Sequence, residues 1–242
     1  METWRQRLGN WRHLTKLDPD RLLDDRRLEA VLGSGTDALV LGGTQGITSA
    51  RVQSLLRRVA GQGLPVAIEV SSFSALVPGA DLYLVPVVLN AGDPFWIVGA
   101  HQQAVRAVGE WTRELWDLVV AEGYVILNPA SAVAQLTAAT AGLSAEEVVA
   151  YARCAEELLG LPVLYLEYSG CYGDPRVVRA VGAILGRARL FYGGGIDSPA
   201  RAREMAALAD TVVVGNLVYE GDPRLLAQVV AAVRSTPART PP

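Results

Sequence analysis

The stretch LFYGGGIDSPARAREMAALADTVVVGN, Leu190 to Asn216, carries in one piece the repeat from which the fold is read. An apolar run ends in three glycines, Ser198 and Pro199 open an Ala/Arg/Glu-rich helical segment, and a second run, TVVV, ends in Gly215 and Asn216. Pro just inside a helix start and Gly at a strand end are the signals of a βα unit followed by the next strand. The run VVV has no polar alternation, so it predicts burial on both faces, as in a parallel sheet covered by helices.

The same alternation extends outward through the chain. Strand candidates are HLTKL (13–17), ALVLGG (38–43), PVAIEVS (65–71), LYLVPVVLN (82–90), YVILN (124–128), VLYLEYSG (163–170), RLFYGG (189–194) and TVVVGN (211–216). Eight such units in 242 residues predict a (β/α)8 TIM barrel. An open doubly wound sheet is the alternative architecture, but it has as a rule fewer strands and a nucleotide fingerprint after the first. No linker breaks the series, so residues 1–234 read as one domain, and the proline-broken STPARTPP (235–242) as a disordered tail. The segment 93–117, DPFWIVGAHQQAVRAVGEWTRELWD, is long and Trp-rich for a connection between strand and helix.

Composition narrows the class. A net charge of -3, from 22 Lys and Arg against 25 Asp and Glu, supplies no concentrated positive surface for nucleic acid. Cys154 and Cys171 are the only cysteines and read as reduced thiols of a cytoplasmic protein. The amino terminus lacks the apolar core of a signal peptide, and no stretch approaches the ~20 apolar residues of a membrane span. A membrane-bound substrate is compatible with both observations.

In a barrel of this kind the chemistry gathers at the carboxyl ends of the strands. There the sequence places Lys16 and Asp18, Gly43 and Thr44, Glu69 with Ser71, Asn90, Asn128, residues 167–170, Gly193 to Gly195, and Gly215 with Asn216. Turn-making explains any one of these; the whole set at strand ends points to a site. YGGG beside the helix start at 197–199, with VVGN from the next strand, predicts a phosphate cradle of exposed N–H groups. Asp18 and Thr44, on adjacent strands, suit Mg2+, while a helix cap at Pro19 explains Asp18 equally well. Lys16, the sole lysine, is expected to face a phosphate or a carboxylate. Glu167 reads either as a general base or as the ion-pair partner of Lys16. His13 and His101 lie away from strand ends and read as structural or surface residues; the five tryptophans, Trp4, Trp11, Trp96, Trp111 and Trp116, read as packing.

Taken together, WRHLTKLDPD, SGTDALVLGGTQGIT, EGYVILNPASAVA, YLEYSG and YGGGI closely resemble the geranylgeranylglyceryl and heptaprenylglyceryl phosphate synthases, over 11–220. That family consists of (β/α)8 barrel prenyltransferases of lipid biosynthesis, which move a polyprenyl group from its diphosphate to the 3-hydroxyl of sn-glycerol 1-phosphate with Mg2+ and so form an ether-lipid precursor. The resemblance implies that Lys16, Tyr165, Leu166, Glu167, Tyr168, Ser169, Gly170, Gly195, Gly215 and Asn216 hold sn-glycerol 1-phosphate; the chemistry of such a transfer casts Lys16, neutralising the leaving group, and Glu167, taking the hydroxyl proton, as catalytic. The resemblance also implies Asp18 and Thr44 as the Mg2+ ligands. In the relatives a bulky aromatic at the position of Ala104 goes with the twenty-carbon chain, so Ala104 implies a longer one, heptaprenyl. Four rivals stand beside this: strict twenty-carbon selectivity, another phosphorylated acceptor such as 3-phosphoglycerate, a catalytically idle phosphate sensor, and an aldolase or isomerase of phosphorylated substrates. The last normally needs a Schiff-base lysine, and Lys16 is the only lysine. A homodimer is expected on base rates, and peripheral membrane contact accords with a lipid product.

Overall fold

A computed structural model describes residues 8–108 and 112–242. Its strands are β1 (His13–Leu17), β2 (Ala38–Leu41), β3 (Val66–Glu69), β4 (Leu82–Val88), β5 (Val119–Ile126), β6 (Val163–Glu167), β7 (Arg189–Gly193) and β8 (Thr211–Val214). They run parallel in chain order and close into a barrel, with Leu14 of β1 registered against Ala38 of β2 on one side and Val213 of β8 on the other. The (β/α)8 expectation is met.

Side-chain alternation divides the apolar residues into two layers. Leu14, Val40, Leu84, Ile126 and Phe191 fill the barrel interior, while Leu17, Leu41, Ile68, Leu164 and Val214 face the surrounding helices. Because both faces are buried, the strands carry unbroken apolar runs. The helices include α1 (Asp25–Leu32), α2 (Ser49–Val59), α3 (Gly99–Val108), α4 (Arg113–Trp116), α5 (Ala132–Thr137), α6 (Ala145–Arg153), α7 (Pro175–Gly182), α8 (Pro199–Ala206) and α9 (Arg224–Arg234). Their starts are written locally: the side chains of Asp24, Thr48, Ser144, Asp174 and Ser198 each accept from an N–H of the first turn. In α2 the buried residues Val52, Leu55, Leu56 and Val59 keep the helical spacing of one apolar stripe.

Three expectations change on this scaffold. The strand expected over 124–128 begins five residues earlier, at Val119, because Glu122 and Gly123 interrupt the apolar run without interrupting the pairing to β4. Glu122 thereby enters the barrel interior, fully buried. The carboxyl-terminal stretch, expected to be disordered, is tied down at Arg239. That guanidinium pairs with Asp210 at 2.8 Å and donates to the carbonyls of Gly182, Leu185 and Ala188, with 7% of its side chain exposed. Finally, the tryptophans part company: Trp11 joins Leu8 in sealing the barrel floor, whereas Trp96 and Trp116 line an apolar groove. Trp4 and Trp111 lie outside the described residues.

His13 is structural, as expected. Its ring is fully buried with Nδ1 2.9 Å from Thr36 Oγ1, and burial pushes its pKa down to about 3. Among the described residues no helix is long and apolar enough to cross a membrane.

Candidate active site

The site consists of two joined cavities, a polar one at the carboxyl ends of the strands and an apolar one that runs from there along β4 and β5. The polar one, about 660 Å3, brings together Lys16, Asp18, Thr44, Glu167, Gly195 and Asn216, and its wall also includes Tyr165, Ser169, Gly170 and Gly215. Two expected site residues do not point into it. On β6 the side chains of Tyr165 and Glu167 face inward, so strict alternation turns Leu166 outward into the helix layer, where Tyr168 also packs. Leu166 and Tyr168 offer a ligand at most their main chain.

The three glycines of 193–195 have a structural cause. A Cβ on Gly193 would collide with the Tyr165 hydroxyl, one on Gly194 with the Tyr168 side chain, and one on Gly195 with the main chain of Tyr172. Gly194 and Gly195 also adopt φ of +146° and +58°. The loop after β7 therefore lies directly against the loop after β6, and the two backbones share one wall. α8 begins beside them behind Ser198, whose side chain accepts from Arg201 N, with Pro199 at its first position.

Lys16, at the mouth end of β1, is 2.7 Å from Glu69 Oε1 at the end of β3. Of its two expected partners it thus has a carboxylate, though Glu69 rather than Glu167. Burial lowers its pKa, but Glu69, Glu167 and Glu122 outweigh that and raise it, so the ammonium persists. Asp18 does not cap a helix at Pro19. Its Oδ1 accepts from Asp20 N at 2.9 Å, while its own N–H donates to the Tyr219 hydroxyl at 2.7 Å. The carboxylate lies over Gly43, where an added Cβ would sit 2.6 Å from Oδ1. Only glycine lets it lean toward the end of β2 and Thr44. Burial raises the Asp18 pKa, partly offset by the Asp20 N–H.

Glu167 is held by tyrosines and a strained serine. Its Oε2 accepts from Tyr124 Oη at 2.7 Å, and its Oε1 accepts from both the N–H and the hydroxyl of Ser169. Ser169 adopts a positive φ of +31°, unusual for a residue with a side chain and characteristic of sites where geometry is over-determined. Tyr124 and Tyr165 stack 4.7 Å apart, and burial together with the Glu167 charge raises both phenol pKa values, so they remain neutral donors. Beneath them Glu122 has no hydrogen-bond partner on either oxygen among the described residues; burial and its acidic neighbours raise its pKa well above the carboxylate range.

The second cavity, about 300 Å3, is an apolar groove walled by Tyr83, Val87, Trp96, His101, Ala104 and Leu136. Gly43 and Thr44 line both cavities and form the junction. The Trp-rich segment 93–117 supplies one wall through α3, on which Ala104 faces the groove. His101, expected to be structural or on the surface, hydrogen-bonds Pro86 O at 2.9 Å inside this groove. Glu122 and Tyr124 are members of the site that the sequence did not disclose. The signal for Glu122 was a lone carboxylate amid apolar residues of a strand; for Tyr124 there was none, since its role depends on β6.

Among the described residues no cluster of three or more His, Cys, Asp or Glu could hold a metal ion. A carboxylate and a hydroxyl, Asp18 and Thr44, remain, and such a sparse oxygen set fits Mg2+, which retains water and takes substrate phosphate oxygens.

The chain is thus a (β/α)8 barrel whose polar, Gly-walled mouth opens sideways into an apolar groove, with room for a small polar group beside a long apolar one. The sequence profile of the PcrB family matches residues 6–233, and the chain belongs to that family. The heptaprenylglyceryl phosphate synthase of Geobacillus kaustophilus is 51% identical over 221 residues, 91% of this chain and 92% of that one. The enzyme of the same name from Brevibacillus brevis is 49% identical over 226 residues, 93% and 96% of the two chains. The fold is also that of (S)-3-O-geranylgeranylglyceryl phosphate synthase from Thermoplasma acidophilum, solved with sn-glycerol-1-phosphate. There the TM-score is 0.86 at 22% identity, covering 98% of this chain and 100% of the other.

Proposed function

We propose that this chain transfers a polyprenyl group, heptaprenyl in preference to geranylgeranyl, from its diphosphate to the 3-hydroxyl of sn-glycerol 1-phosphate. The observation that carries the reading is the junction at Gly43 and Thr44, where an apolar groove runs into a polar cavity equipped with Lys16, Asp18 and Glu167. The named relatives point to the same substrates.

In this mechanism the loops after β6, β7 and β8 hold the acceptor's phosphate, with main-chain N–H groups at Gly195, Gly215 and the start of α8. Glu167, aimed by Tyr124 and Ser169, takes the proton of the attacking hydroxyl. The oxygen forms a bond to the allylic carbon as that carbon's bond to the diphosphate oxygen breaks, and the diphosphate leaves with both electrons. Lys16, kept cationic by its carboxylate neighbours, lies where negative charge gathers. Mg2+, held by Asp18 and Thr44, would supply further charge neutralisation for the leaving group. The groove excludes water and fixes the tail, which turns a bimolecular encounter into an oriented one.

Incubation with Mg2+, labelled sn-glycerol 1-phosphate and either diphosphate is expected to give organic-extractable label. Absence of label with both overturns the reading, and label from 3-phosphoglycerate in competition would move it to another acceptor. Chain length is tested at Ala104. Each buried CH2 contributes about 0.8 kcal/mol, so an unobstructed groove should favour the longer tail. Ala104→Trp is expected to lower kcat/KM for heptaprenyl diphosphate by at least tenfold while sparing geranylgeranyl diphosphate. If wild type already rejects the longer chain, Ala104 is not the limiting residue. We place the reaction in the cytoplasm, where the unpaired thiols of Cys154 and Cys171 would persist, and take a C2 homodimer as the assembly; a monomer mass in sedimentation would remove the dimer.

A further inference from the structure

On the proposed function, on which this inference rests, the polar cavity receives two anions at once, an acceptor phosphate and a donor diphosphate. Like charges so close repel strongly in a partly desolvated cavity, and a cation between them is needed. Among the described residues three cationic side chains line it: Lys16, Arg21 and Arg201. Lys16 is bound to the buried Glu69 at 2.7 Å. Arg201 is 2.6 Å from Asp197, donates to Gly195 O and stacks over Tyr172 at 4.7 Å.

Arg21 is placed differently. Its guanidinium lies 4.0 Å over the ring of Tyr219, and Nη1 is 3.1 Å from Asn216 Oδ1. Its carboxylate partner, Glu220, is 3.5 Å away with 65% of its side chain exposed, a weak and solvent-screened contact. Tyr219 is itself fixed, its hydroxyl accepting from Asp18 N at 2.7 Å and lying 3.3 Å from Asp18 O. The loop after β1 and the loop after β8 are thus clasped into one unit. On one side of the clasp is Asp18, assigned to the donor end; on the other is Asn216, assigned to the acceptor end. The planar fork of arginine, stacked on an aromatic face, presents N–H groups in fixed directions to oxygens on both sides, where a lysine ammonium is a mobile point charge.

We infer that Arg21 bridges the two anions, offsetting their repulsion so that donor and acceptor bind together, and that its weak contact with Glu220 gives way when they arrive. Arg21 is therefore a coupling group between subsites. Removing it penalises joint occupancy more than either single binding event.

Calorimetry on the intact chain tests this with sn-glycerol 1-phosphate and inorganic diphosphate with Mg2+, titrated separately and then one in the presence of saturating amounts of the other. In wild type the Kd for sn-glycerol 1-phosphate is expected to change less than about threefold when diphosphate is present. In Arg21→Gln each ligand alone should bind within about threefold of wild type, while joint binding weakens tenfold or more. Arg21→Lys should restore only part of the coupling, and Glu220→Gln should strengthen joint binding about twofold. Unchanged coupling in Arg21→Gln overturns the inference, as does loss of one ligand alone, which makes Arg21 a simple ligand of that phosphate. Failure of wild type itself to bind either anion overturns the functional reading and the bridge with it, an outcome distinct from wild-type binding with unaltered coupling in the variant.

Discussion

At the scale of single residues, Glu167 and Asp18 sit in different surroundings, and the tasks proposed for them differ accordingly. Glu167 ends β6 facing inward, with a tyrosine on one oxygen and Ser169 on the other. A carboxylate oriented by three donors, none of them cationic, is suited to accept a proton from a hydroxyl within hydrogen-bonding reach. Glu167→Gln is expected to bind sn-glycerol 1-phosphate normally and to lower kcat by roughly 100-fold or more, read by calorimetry and steady-state kinetics. Loss of binding instead makes Glu167 a positioning group for the loop 168–170. Asp18 serves differently: its carboxylate makes one turn contact and leans over Gly43 toward Thr44. Asp18→Ala is expected to abolish turnover at any practical Mg2+ concentration while shifting Tm by little, because a half-exposed carboxylate contributes little to packing. Normal turnover with a normal melting curve would sink the metal assignment.

At the scale of elements, the wall of the site is the contact between the loops after β6 and β7, and its tightness depends on Gly194. Its φ of +146° belongs to a region that side-chain-bearing residues avoid, and a Cβ there would meet Tyr168 and, at 2.7 Å, Cys171 O. Such strain costs about 1–3 kcal/mol before the collision is counted. Gly194→Ala is therefore expected to lower Tm by about 5 °C or more and to weaken sn-glycerol 1-phosphate binding with it. A variant of full stability and affinity would show that the loops move apart freely. From the sequence, the glycines are explained by close approach of an anion. The collisions with Tyr165, Tyr168 and Tyr172 are sufficient cause, and the N–H groups beside them follow from the same packing.

For the whole molecule, the closure of the barrel places its amino-terminal floor under Leu8 and Trp11, and the carboxyl-terminal stretch straps that end. Arg239 satisfies carbonyls of Gly182, Leu185 and Ala188 and the carboxylate of Asp210, which also accepts from Leu190 N in β7. Removing one partner of a buried ion pair costs about 3–5 kcal/mol. Arg239→Ala is expected to lower Tm by roughly 6–15 °C in a thermal melt, while deletion of residues 240–242, which are exposed, should change it by little. Equal melting of the Arg239 variant and wild type would return the tail to the disordered state first expected of it.

The fold was legible in the sequence because a parallel barrel buries both faces of every strand. Runs such as VVV in β8 and VLYL in β6 then need no partner to be recognised, and glycine, Ser-Pro and Asp-Pro mark where strand gives way to helix. Strand ends were legible for the same reason, which is why Lys16, Asp18, Thr44, Glu167 and Gly195 could be placed on one face. Which way each side chain points, and whom it meets, was decided only by closure. Alternation turned Leu166 outward and Glu167 inward; the pairing of β5 with β4 drew Glu122 into the interior; and Lys16 met Glu69, two strands away, rather than Glu167. Arg239 read as part of a proline-broken tail because its four partners come from α7 and from the segments leading into β7 and β8. A contact between residues tens or hundreds of positions apart leaves no period and no local motif in a sequence, and exists only once the barrel has brought its two ends of chain together.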